Sequence, residues 1–514
     1  MLRRWMLFAL GGVLIAGILL PVLVLPQDQV KKNGCLDRDT AEPLIDHRFD
    51  EVRSKIQNVL LESGVASISV AVAKSGKIIW EESFGWANRE KMIKANPNTL
   101  YSLASISKPI TATGLMILVE QKLVELGRPV NDYLGQSKLK SYEGNPSAAT
   151  VRHVLNHTAG LPLHWHFFYE NEPYRRPSMD ETIQRYGIVV APPGSAYVYS
   201  NLGFGIIDYV ISRVSHLSYP DFMRTKVFLP LGMTHSSVAV GAGLEAYAAQ
   251  RYDGNQAPIP SYDFDHPGAS AIYASAHDLV RFGMFQLRDH LADQRPILKD
   301  ETIELMQSEK DTTTPDKNYG LGLRIDKDSY GYRTVSHNGG MPGVSTSLKL
   351  VPSEDIAVVV LSNGSNGRIY TLENDILSAM LPEYAEKFKT KEKEKKPEEK
   401  PEKFSPPPSL LGEWTGEIKT YSGVMPLTLA FEPDGDVHVR IKGQLETLLN
   451  RVHFKDDILS GVCSGEIQTD DAKLSPHIIQ FGMGLKGERL DGFVSATALK
   501  WYALSSWIHL DKKK

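Results

Sequence analysis

A charged, proline-containing tract near residue 390 most constrains how this chain of 514 residues folds. From Lys387 the sequence reads KFKTKEKEKKPEEKP, and three consecutive prolines follow at 406–408. The mixed charges and scarce apolar side chains favour a solvated, semi-stiff linker over an interaction tract. A chain of this length also favours two folded units. The sequence therefore predicts a large domain at 46–385, a linker at 386–408 and a small domain at 409–514.

The first 27 residues have the character of a membrane anchor. Arg3 and Arg4 precede an uncharged, mostly apolar run from Trp5 to Gln27, which is long enough to span a bilayer. The two arginines favour a cytoplasmic N-terminus and an exported body. A cleaved signal peptide, and hence a secreted protein, is the alternative, although its apolar region would be shorter. We expect a single-pass anchor at 1–27, a stalk at 28–45 and a periplasmic or extracellular body.

The pattern between residues 46 and 385 predicts an α+β fold. Val65–Ala73 alternates as a strand does, and a turn and a return strand follow it. The next apolar block, about 106–126, is expected to be a helix, and its segment Leu115–Val119 is apolar on all sides, which indicates burial. Helical spacing dominates the middle of the domain, and strand patterns return at 319–325, 332–336, 345–351 and 355–362. We predict an antiparallel sheet built from both ends of the domain (an α/β sandwich), flanked by helices and with an inserted helical region.

Residues 409–514 have the pattern of an all-β domain. Two alternating runs, Leu427–Phe431 and Val437–Ile441, are separated by a turn containing Pro433-Asp-Gly435, which is a hairpin signature. Similar short runs continue almost to the end of the chain. A small antiparallel barrel or sandwich is the natural way to pair such strands.

Charge and cysteine content exclude several functions. The formal net charge is −4, so the basic surface expected of a nucleic-acid-binding protein is not indicated. The two cysteines, Cys35 and Cys463, are too few for a disulfide framework or a cysteine-rich zinc module. Two free thiols are favoured over a pairing between them.

The segment Ser105-Ile-Ser-Lys108 is a candidate catalytic motif of the S-x-x-K type. Residues three apart share a helix face, so Lys108 can reach the Ser105 hydroxyl and act as its base if burial lowers the lysine pKa. A second match, Ser137-Lys-Leu-Lys140, lies in a polar stretch without a buried helix behind it. The buried helix that follows Ser105 distinguishes the two matches in its favour.

Two further triplets follow Ser105 in order. Tyr199-Ser-Asn201 lies at a loop-to-helix junction, and His337-Asn-Gly339 ends a strand and is followed by Gly340. Adjacent glycines let the backbone approach a substrate closely. The competing matches, Tyr169-Glu-Asn171 and His266-Pro-Gly268, lie in irregular contexts.

The order S-x-x-K, Y-S-N, H-x-G resembles the serine β-lactamase and penicillin-binding-protein superfamily, in particular the class C β-lactamase-related esterases and D-amino-acid peptidases. The resemblance extends over roughly 46–381 and includes the phrases TVRHVLNHTAGLP from Thr150 and PGSAYVYSNLG from Pro193. It implies that the C-terminal domain is a lipocalin-like barrel, which would cap the cleft, bind a ligand or form a homo-oligomer.

The resemblance also implies roles for the site residues. Ser105 would be the nucleophile, and Lys108 and Tyr199 would share the proton transfers, with nearby cations favouring the Tyr199 phenolate. Asn201 would hold Lys108 and the substrate, and the amides of Ser105 and Gly340 would form the oxyanion hole. The triplet His337-Asn-Gly339 occupies the position at which many family members have K-T-G. A histidine carries less fixed positive charge than a lysine, so tight binding of a β-lactam carboxylate is not implied.

The predicted function is therefore a serine hydrolase that cleaves amide or ester bonds, with a D-amino-acid peptidase favoured. A carboxylesterase or β-lactamase-like hydrolase is the alternative, and a non-catalytic scaffold or ligand-binding protein is the alternative of another class. No cofactor and no metal are expected, because the cluster His153, His157, His164 and His166 lacks carboxylate or thiol neighbours in the sequence. A turn-stabilising His157 beneath the site is favoured instead. The expected partners are a small peptide or ester substrate and, through the N-terminal helix, a membrane.

Overall fold

The computed structural model describes residues 46–308, 318–394 and 403–513. The predicted anchor and stalk, together with Cys35, lie outside these residues. Within the described ranges, none of the helices combines the length and the apolar character needed to cross a bilayer.

The α-helices of the described residues belong to the large domain. They are α1 (Asp50–Ser63), α2 (Ser107–Glu120), α3 (Val151–Leu155), α4 (Met179–Tyr186), α5 (Asn201–Ser215), α6 (Tyr219–Phe222), α7 (Pro267–Ser270), α8 (Ala276–Leu287), α9 (Asp300–Met306), α10 (Ile369–Met380) and α11 (Pro382–Glu394).

The strands fall into two groups along the chain. The large domain contains β1 (Ser67–Lys74), β2 (Lys77–Asn88), β3 (Ile93–Lys94), β4 (Tyr101–Ser102), β5 (Lys140–Ser141), β6 (Trp165–Tyr169), β7 (Ile188–Val189), β8 (Ser236–Val238), β9 (Tyr262–Phe264), β10 (Ile272–Ala274), β11 (Arg324–Ser329), β12 (Tyr332–Met341), β13 (Val344–Val351) and β14 (Ile356–Ser362). The small domain contains β15 (Gly412–Thr420), β16 (Gly423–Phe431), β17 (Val437–Ile441), β18 (Thr447–Leu448), β19 (Asn450–Lys455), β20 (Ile458–Ser464), β21 (Ile478–Lys486), β22 (Arg489–Ala498) and β23 (Tyr502–Lys512).

The central sheet of the large domain joins the two ends of that domain, as predicted. Its order is β11-β12-β13-β14-β1-β2-β3, and β1 pairs antiparallel with β14, so that Val70 faces Val360. Alternate residues of β1 face opposite sides. Ile68, Val70 and Val72 pack with α1 and α10, whereas Ala71 and Ala73 belong to the core that contains α2 and α8. Both faces are therefore covered, and the α+β prediction is confirmed.

Helix α2 is the buried central helix that the apolar run predicts. Its residues are buried from Ser107 to Leu118. The helix ends at Glu120, whereas the sequence predicted about Leu126. The earlier end coincides with Lys122, whose φ of 59° is left-handed and so does not continue a right-handed helix.

The small domain is the nearly closed antiparallel barrel that its alternating pattern predicts. The strand order is β18-β17-β16-β15-β23-β22-β21-β20-β19, and the predicted hairpin is β16–β17, with Leu427 opposite Ile441. Trp414 and Val494 are fully buried inside it, and Cys463 is a buried free thiol on β20. Strand β23 also pairs with β6, joining Tyr502 to His166. The barrel is therefore connected to the large domain by main-chain hydrogen bonds.

Two further element boundaries differ from the sequence expectation. The strand expected from Tyr319 begins at Arg324, and Tyr319 instead turns its side chain toward the candidate site described below. The predicted linker begins inside α11, which continues to Glu394. Tyr384 and Phe388 on α11 pack against the ring of Tyr330, which explains why the first part of the tract is helical.

Replacement of Gly339 by alanine should destabilise the large domain. An added Cβ would lie 2.1 Å from the Leu103 carbonyl oxygen and 2.3 Å from Thr346 Oγ1. We expect a loss of roughly 1–3 kcal/mol, since overpacked cores lose that much. Chemical or thermal unfolding measures the change. Gly127→Ala is the matched control, because nothing lies within 4 Å of its added Cβ. Equal stability of the two variants would contradict the close approach of β12 to the Leu103 segment.

Candidate active site

The Ser105 hydroxyl lies at a tight turn directly before α2. Ala104 has a φ of 47°, a left-handed conformation that is costly for a residue with a Cβ. Neighbouring strands hold the turn in place. The Leu103 amide donates to the Ile272 carbonyl at 2.9 Å, and Thr346 Oγ1 donates to the Leu103 carbonyl at 2.9 Å. Ser105 itself is only partly buried, so its hydroxyl remains accessible to a substrate.

The Lys108 amine is fully buried among neutral groups. Its Nζ lies 3.0 Å from Ser105 Oγ, 2.7 Å from Asn201 Oδ1 and 3.1 Å from the Ala269 carbonyl oxygen. Neither the amide oxygen nor the carbonyl oxygen can donate a hydrogen bond. A neutral amine has two N–H groups for these two acceptors, and its lone pair then faces the Ser105 hydroxyl. The geometry therefore suits a lysine that accepts the Ser105 proton.

Burial moves the pKa values of Lys108 and Tyr199 in opposite directions. It lowers the pKa of Lys108 well below the ordinary value of 10.5. It raises the pKa of Tyr199 above the ordinary value of 10.0, against a smaller opposing effect of a hydrogen bond with Ser105. Lys108 Nζ lies 4.8 Å from the centre of the Tyr199 ring. The structure therefore does not favour the Tyr199 phenolate expected from the sequence, because burial raises the Tyr199 pKa and also lowers the pKa values of the two expected cations, Lys108 and His337.

His157 supports Tyr199 from behind. Its φ of 61° is left-handed, its Nδ1 accepts from the Ser200 amide at 3.2 Å, and its ring lies 4.4 Å from that of Tyr199. Burial lowers the pKa of His157 well below 6.5, so the ring is neutral and can accept that hydrogen bond. The structure thus places His157 at a turn beneath the site.

Asn201 is the first residue of α5. The Ser200 side chain caps this helix by accepting from the Gly203 amide at 3.1 Å, and Ser200 Oγ donates to the Pro162 carbonyl at 2.9 Å. These bonds fix the start of α5, which in turn directs the Asn201 carboxamide toward Lys108.

His337 is buried and neutral. Burial lowers its pKa to about 3. Its Nδ1 lies 2.7 Å from the Asn338 carbonyl oxygen, which can only accept, so the ring proton is on Nδ1. Nε2 is then the acceptor for the Tyr319 hydroxyl at 2.9 Å. His337 therefore provides no fixed positive charge where a K-T-G lysine would.

The two glycines after His337 lie at the end of β12 that faces the Ser105 turn. Gly339 leaves space for the Leu103 carbonyl, and its own carbonyl accepts from Tyr370 at 2.8 Å. Gly340 pairs with Ser345 on β13. The seven residues chosen from sequence thus come from α2 and the turn before it, from the start of α5 and the loop before it, and from β12, and these segments converge on one site.

The competing motif matches lie elsewhere. The Ser137 amide donates to Asp180 at 2.9 Å, and Lys140 is exposed. The Tyr169 hydroxyl donates to the Lys500 carbonyl of the barrel at 2.7 Å, and His266 is buried in a separate cluster.

Sequence reasoning missed two contributors, Tyr319 and the Ala269 carbonyl. A main-chain carbonyl carries no sequence signal, and Tyr319 was assigned to a strand. A repeated pattern of tyrosines, Tyr197, Tyr199 and Tyr319, could have indicated the aromatic cluster around His157.

A cavity of about 730 Å³ lies near the site, although none of the seven site residues lines it. It is bounded by segments next to the site residues, including Ser102 before the nucleophile turn, Ser270 after Ala269 and Met341 after Gly340. Charged side chains of both signs also line it, namely Glu170, Arg176, Arg251 and Asp263.

Comparison with known proteins identifies the family. A model of the Beta-lactamase family matches residues 47–377. Penicillin-binding protein 4* of Bacillus subtilis is 27% identical over 332 residues, which cover 60% of this chain and 70% of that protein.

Solved structures share the fold over a longer part of the chain. The octameric penicillin-binding protein homologue from Pyrococcus abyssi has a TM-score of 0.56 at 22% identity, covering 88% of this chain and 99% of that one. SurE solved with D-Leu has a TM-score of 0.58 at 21% identity, and the match covers 91% of this chain and 99% of that one. The family model matches more than half of the 514 residues of this chain, so the chain belongs to the Beta-lactamase family of serine hydrolases.

Proposed function

We propose that this protein cleaves amide bonds through an acyl-enzyme on Ser105, as a peptidase that acts on small or D-configured termini. The observation that carries the proposal is the contact of the buried Lys108 amine with Ser105 Oγ at 3.0 Å. A serine hydroxyl needs such a base to become nucleophilic.

The steps of the proposed reaction follow from which of the groups Ser105, Lys108 and Tyr199 carry a proton. Ser105 Oγ attacks the carbonyl carbon while its proton passes to the Lys108 lone pair. The amides of Ser105 and Gly340 stabilise the oxyanion. The neutral Tyr199 hydroxyl protonates the leaving amine, and Lys108 restores the Tyr199 proton. In deacylation, water attacks the ester carbonyl carbon and gives a proton to the Lys108–Tyr199 pair, which returns a proton to Ser105 Oγ as the ester C–O bond breaks and the acid is released.

The substrate class is supported by a protein of the same fold. SurE, which has the same fold, was solved with D-Leu. The neutral His337 gives little attraction for a β-lactam carboxylate, so a β-lactamase is disfavoured. A short-chain carboxylesterase is the second candidate, because an ester carbonyl meets the same Ser105, Lys108 and Tyr199 groups.

Location and assembly are part of the proposal. The uncharged run Trp5–Gln27 supports a membrane anchor with the hydrolase outside the cytoplasm. A homologue with the same fold is octameric, which supports a homo-oligomer here.

Labelling with activity probes tests the nucleophile. A fluorescent fluorophosphonate should label the protein, and Ser105→Ala should abolish that label because the attacking oxygen is lost. Ser137→Ala is the matched control and should label normally. Labelling that survives Ser105→Ala would refute the assignment of Ser105.

Substrate turnover then separates the candidate functions. Cleavage of D-Ala-D-Ala peptides in preference to nitrophenyl esters is expected of the peptidase. Preference for the esters would favour the carboxylesterase, and stable labelling by a fluorescent penicillin would indicate penicillin recognition. Absence of any acylation would favour the non-catalytic scaffold.

The pH dependence of acylation tests the role of Lys108. The neutral amine is the active form, so the rate should decrease only as pH falls through the lowered pKa of Lys108 and should be level around neutrality. Tyr199 should produce no alkaline decrease below about pH 10, because burial raises its pKa. Lys108→Arg should acylate about 100- to 10,000-fold more slowly at every pH, since the guanidinium remains charged. A rate that rises tenfold per pH unit up to about pH 10 would instead show that Lys108 has the ordinary pKa of a lysine.

A further inference from the structure

A second cluster of buried polar groups lies outside the proposed acyl-transfer site. His164 Nδ1 lies 2.8 Å from His266 Nε2, and Asp265 Oδ2 lies 3.3 Å from each of these nitrogens. His164, Asp265 and His266 are 1%, 6% and 0% exposed. Three ligand-type atoms of two histidines and one carboxylate therefore form a small, enclosed triangle.

Hydrogen bonding alone does not account for this arrangement. One bond between the imidazoles explains the 2.8 Å contact, but neither oxygen of Asp265 has a hydrogen-bond partner of good geometry within the described residues. The neighbouring Arg176 guanidinium reaches the Phe264 carbonyl at 3.5 Å rather than forming an ion pair with Asp265. A buried carboxylate that stays charged without a partner is costly, and a bound cation would remove that cost.

We propose that His164 Nδ1, Asp265 Oδ2 and His266 Nε2 bind one divalent transition-metal ion, with Zn²⁺ as the best-fitting candidate. Ligand atoms at about 2.0–2.1 Å from a tetrahedral ion are about 3.3 Å apart, which agrees with both distances to Asp265 and requires only a small opening of the histidine pair. Two imidazoles and one carboxylate leave further coordination positions open.

The surroundings of the cluster supply the access that a metal needs. A cavity of about 280 Å³ reaches His164 and Asp265, and Asp470 and Asp471 of the barrel domain also line it. A metal can enter by this route, and water can occupy its open positions.

The ion would link the barrel domain to the groups that hold Lys108. On one side, the His164 ring lies 4.4 Å from the ring of Tyr186, whose hydroxyl donates to Asp471. On the other side, His266 directly precedes α7, whose Ala269 carbonyl lies 3.1 Å from Lys108 Nζ. These three ligands are thus positioning residues, because they act on the site through α7 and do not touch the substrate.

Gly205 on α5 leaves space for the His266 ring. A Cβ at this position would lie 2.5 Å from His266 Nδ1, so glycine lets the imidazole pack directly against the helix that begins with Asn201. The proposed metal site therefore contacts both helices that surround the Lys108 amine.

Sequence analysis expected no metal because the histidines near residue 160 lack carboxylate neighbours in the sequence. The fold supplies the missing carboxylate neighbour. It brings Asp265 and His266 to His164 and leaves His153 and His157 in other places.

Metal binding by the purified full chain tests the proposal. After treatment with EDTA and dialysis, titration with ZnCl₂ against a chromophoric chelator should show one tight site per chain. His164→Gln and His266→Gln should each weaken that site by about 100-fold or more. Co²⁺ in the same site should give intense visible absorption bands, and thermal unfolding of the native chain should shift upward with Zn²⁺.

Two control variants make the result specific. His509→Gln removes a histidine from the partly exposed cluster of Glu143, Asp491 and His509 and should leave the tight site unchanged. Ser105→Ala should also bind Zn²⁺ normally, so failure of the proposed hydrolase and failure of the metal site are distinguishable. The proposal is overturned if the native chain has no tight site, or if His509→Gln removes the site while His164→Gln retains it. A variant too unstable to titrate is replaced by Asp265→Asn, for which lost binding supports the proposal and retained binding overturns it.

Discussion

The buried amine of Lys108 is the constraint on which the rest of the site depends. Its contacts are a hydroxyl, an amide oxygen and a main-chain carbonyl, and none of these carries a negative charge that would favour the ammonium form. Burial therefore favours the neutral amine by lowering the Lys108 pKa well below 10.5, and the number of N–H groups on a neutral amine directs its lone pair to Ser105. Tyr199 is neutral for the same physical reason, so the base and the acid of the proposed reaction are both ready at neutral pH.

The fold brings these groups together from distant parts of the chain. Helix α2 carries Lys108, the start of α5 carries Asn201, α7 contributes a carbonyl, and β12 contributes Gly339 next to the nucleophile turn. The barrel belongs to the same compact unit, because β23 extends its pairing to β6. The proposed metal site lies between these two regions, which gives the barrel domain a physical connection to the position of Lys108.

Local patterns of apolar residues in the sequence predicted several of the helices and strands. Alternating apolar residues predicted β1, β13, β14 and the barrel hairpin, and an all-apolar run predicted α2. The order of three short motifs indicated seven candidate site residues, whose catalytic and binding roles stay predictions. Features that depend on tertiary contacts were not predictable in this way. The Ala269 carbonyl has no residue signature, the phenolate expectation for Tyr199 ignored burial, and Asp265 meets His164 only in the folded chain.

Direct titration of the Lys108 side chain tests the central claim most sharply. In protein labelled with ¹³C at lysine Cε, the Lys108 resonance is assigned from its loss in Lys108→Arg and followed by NMR as a function of pH. The account predicts a neutral amine at pH 7, with a titration midpoint well below 10.5. A resonance that remains in the ammonium form through the neutral range would contradict the role of Lys108 as the base for Ser105.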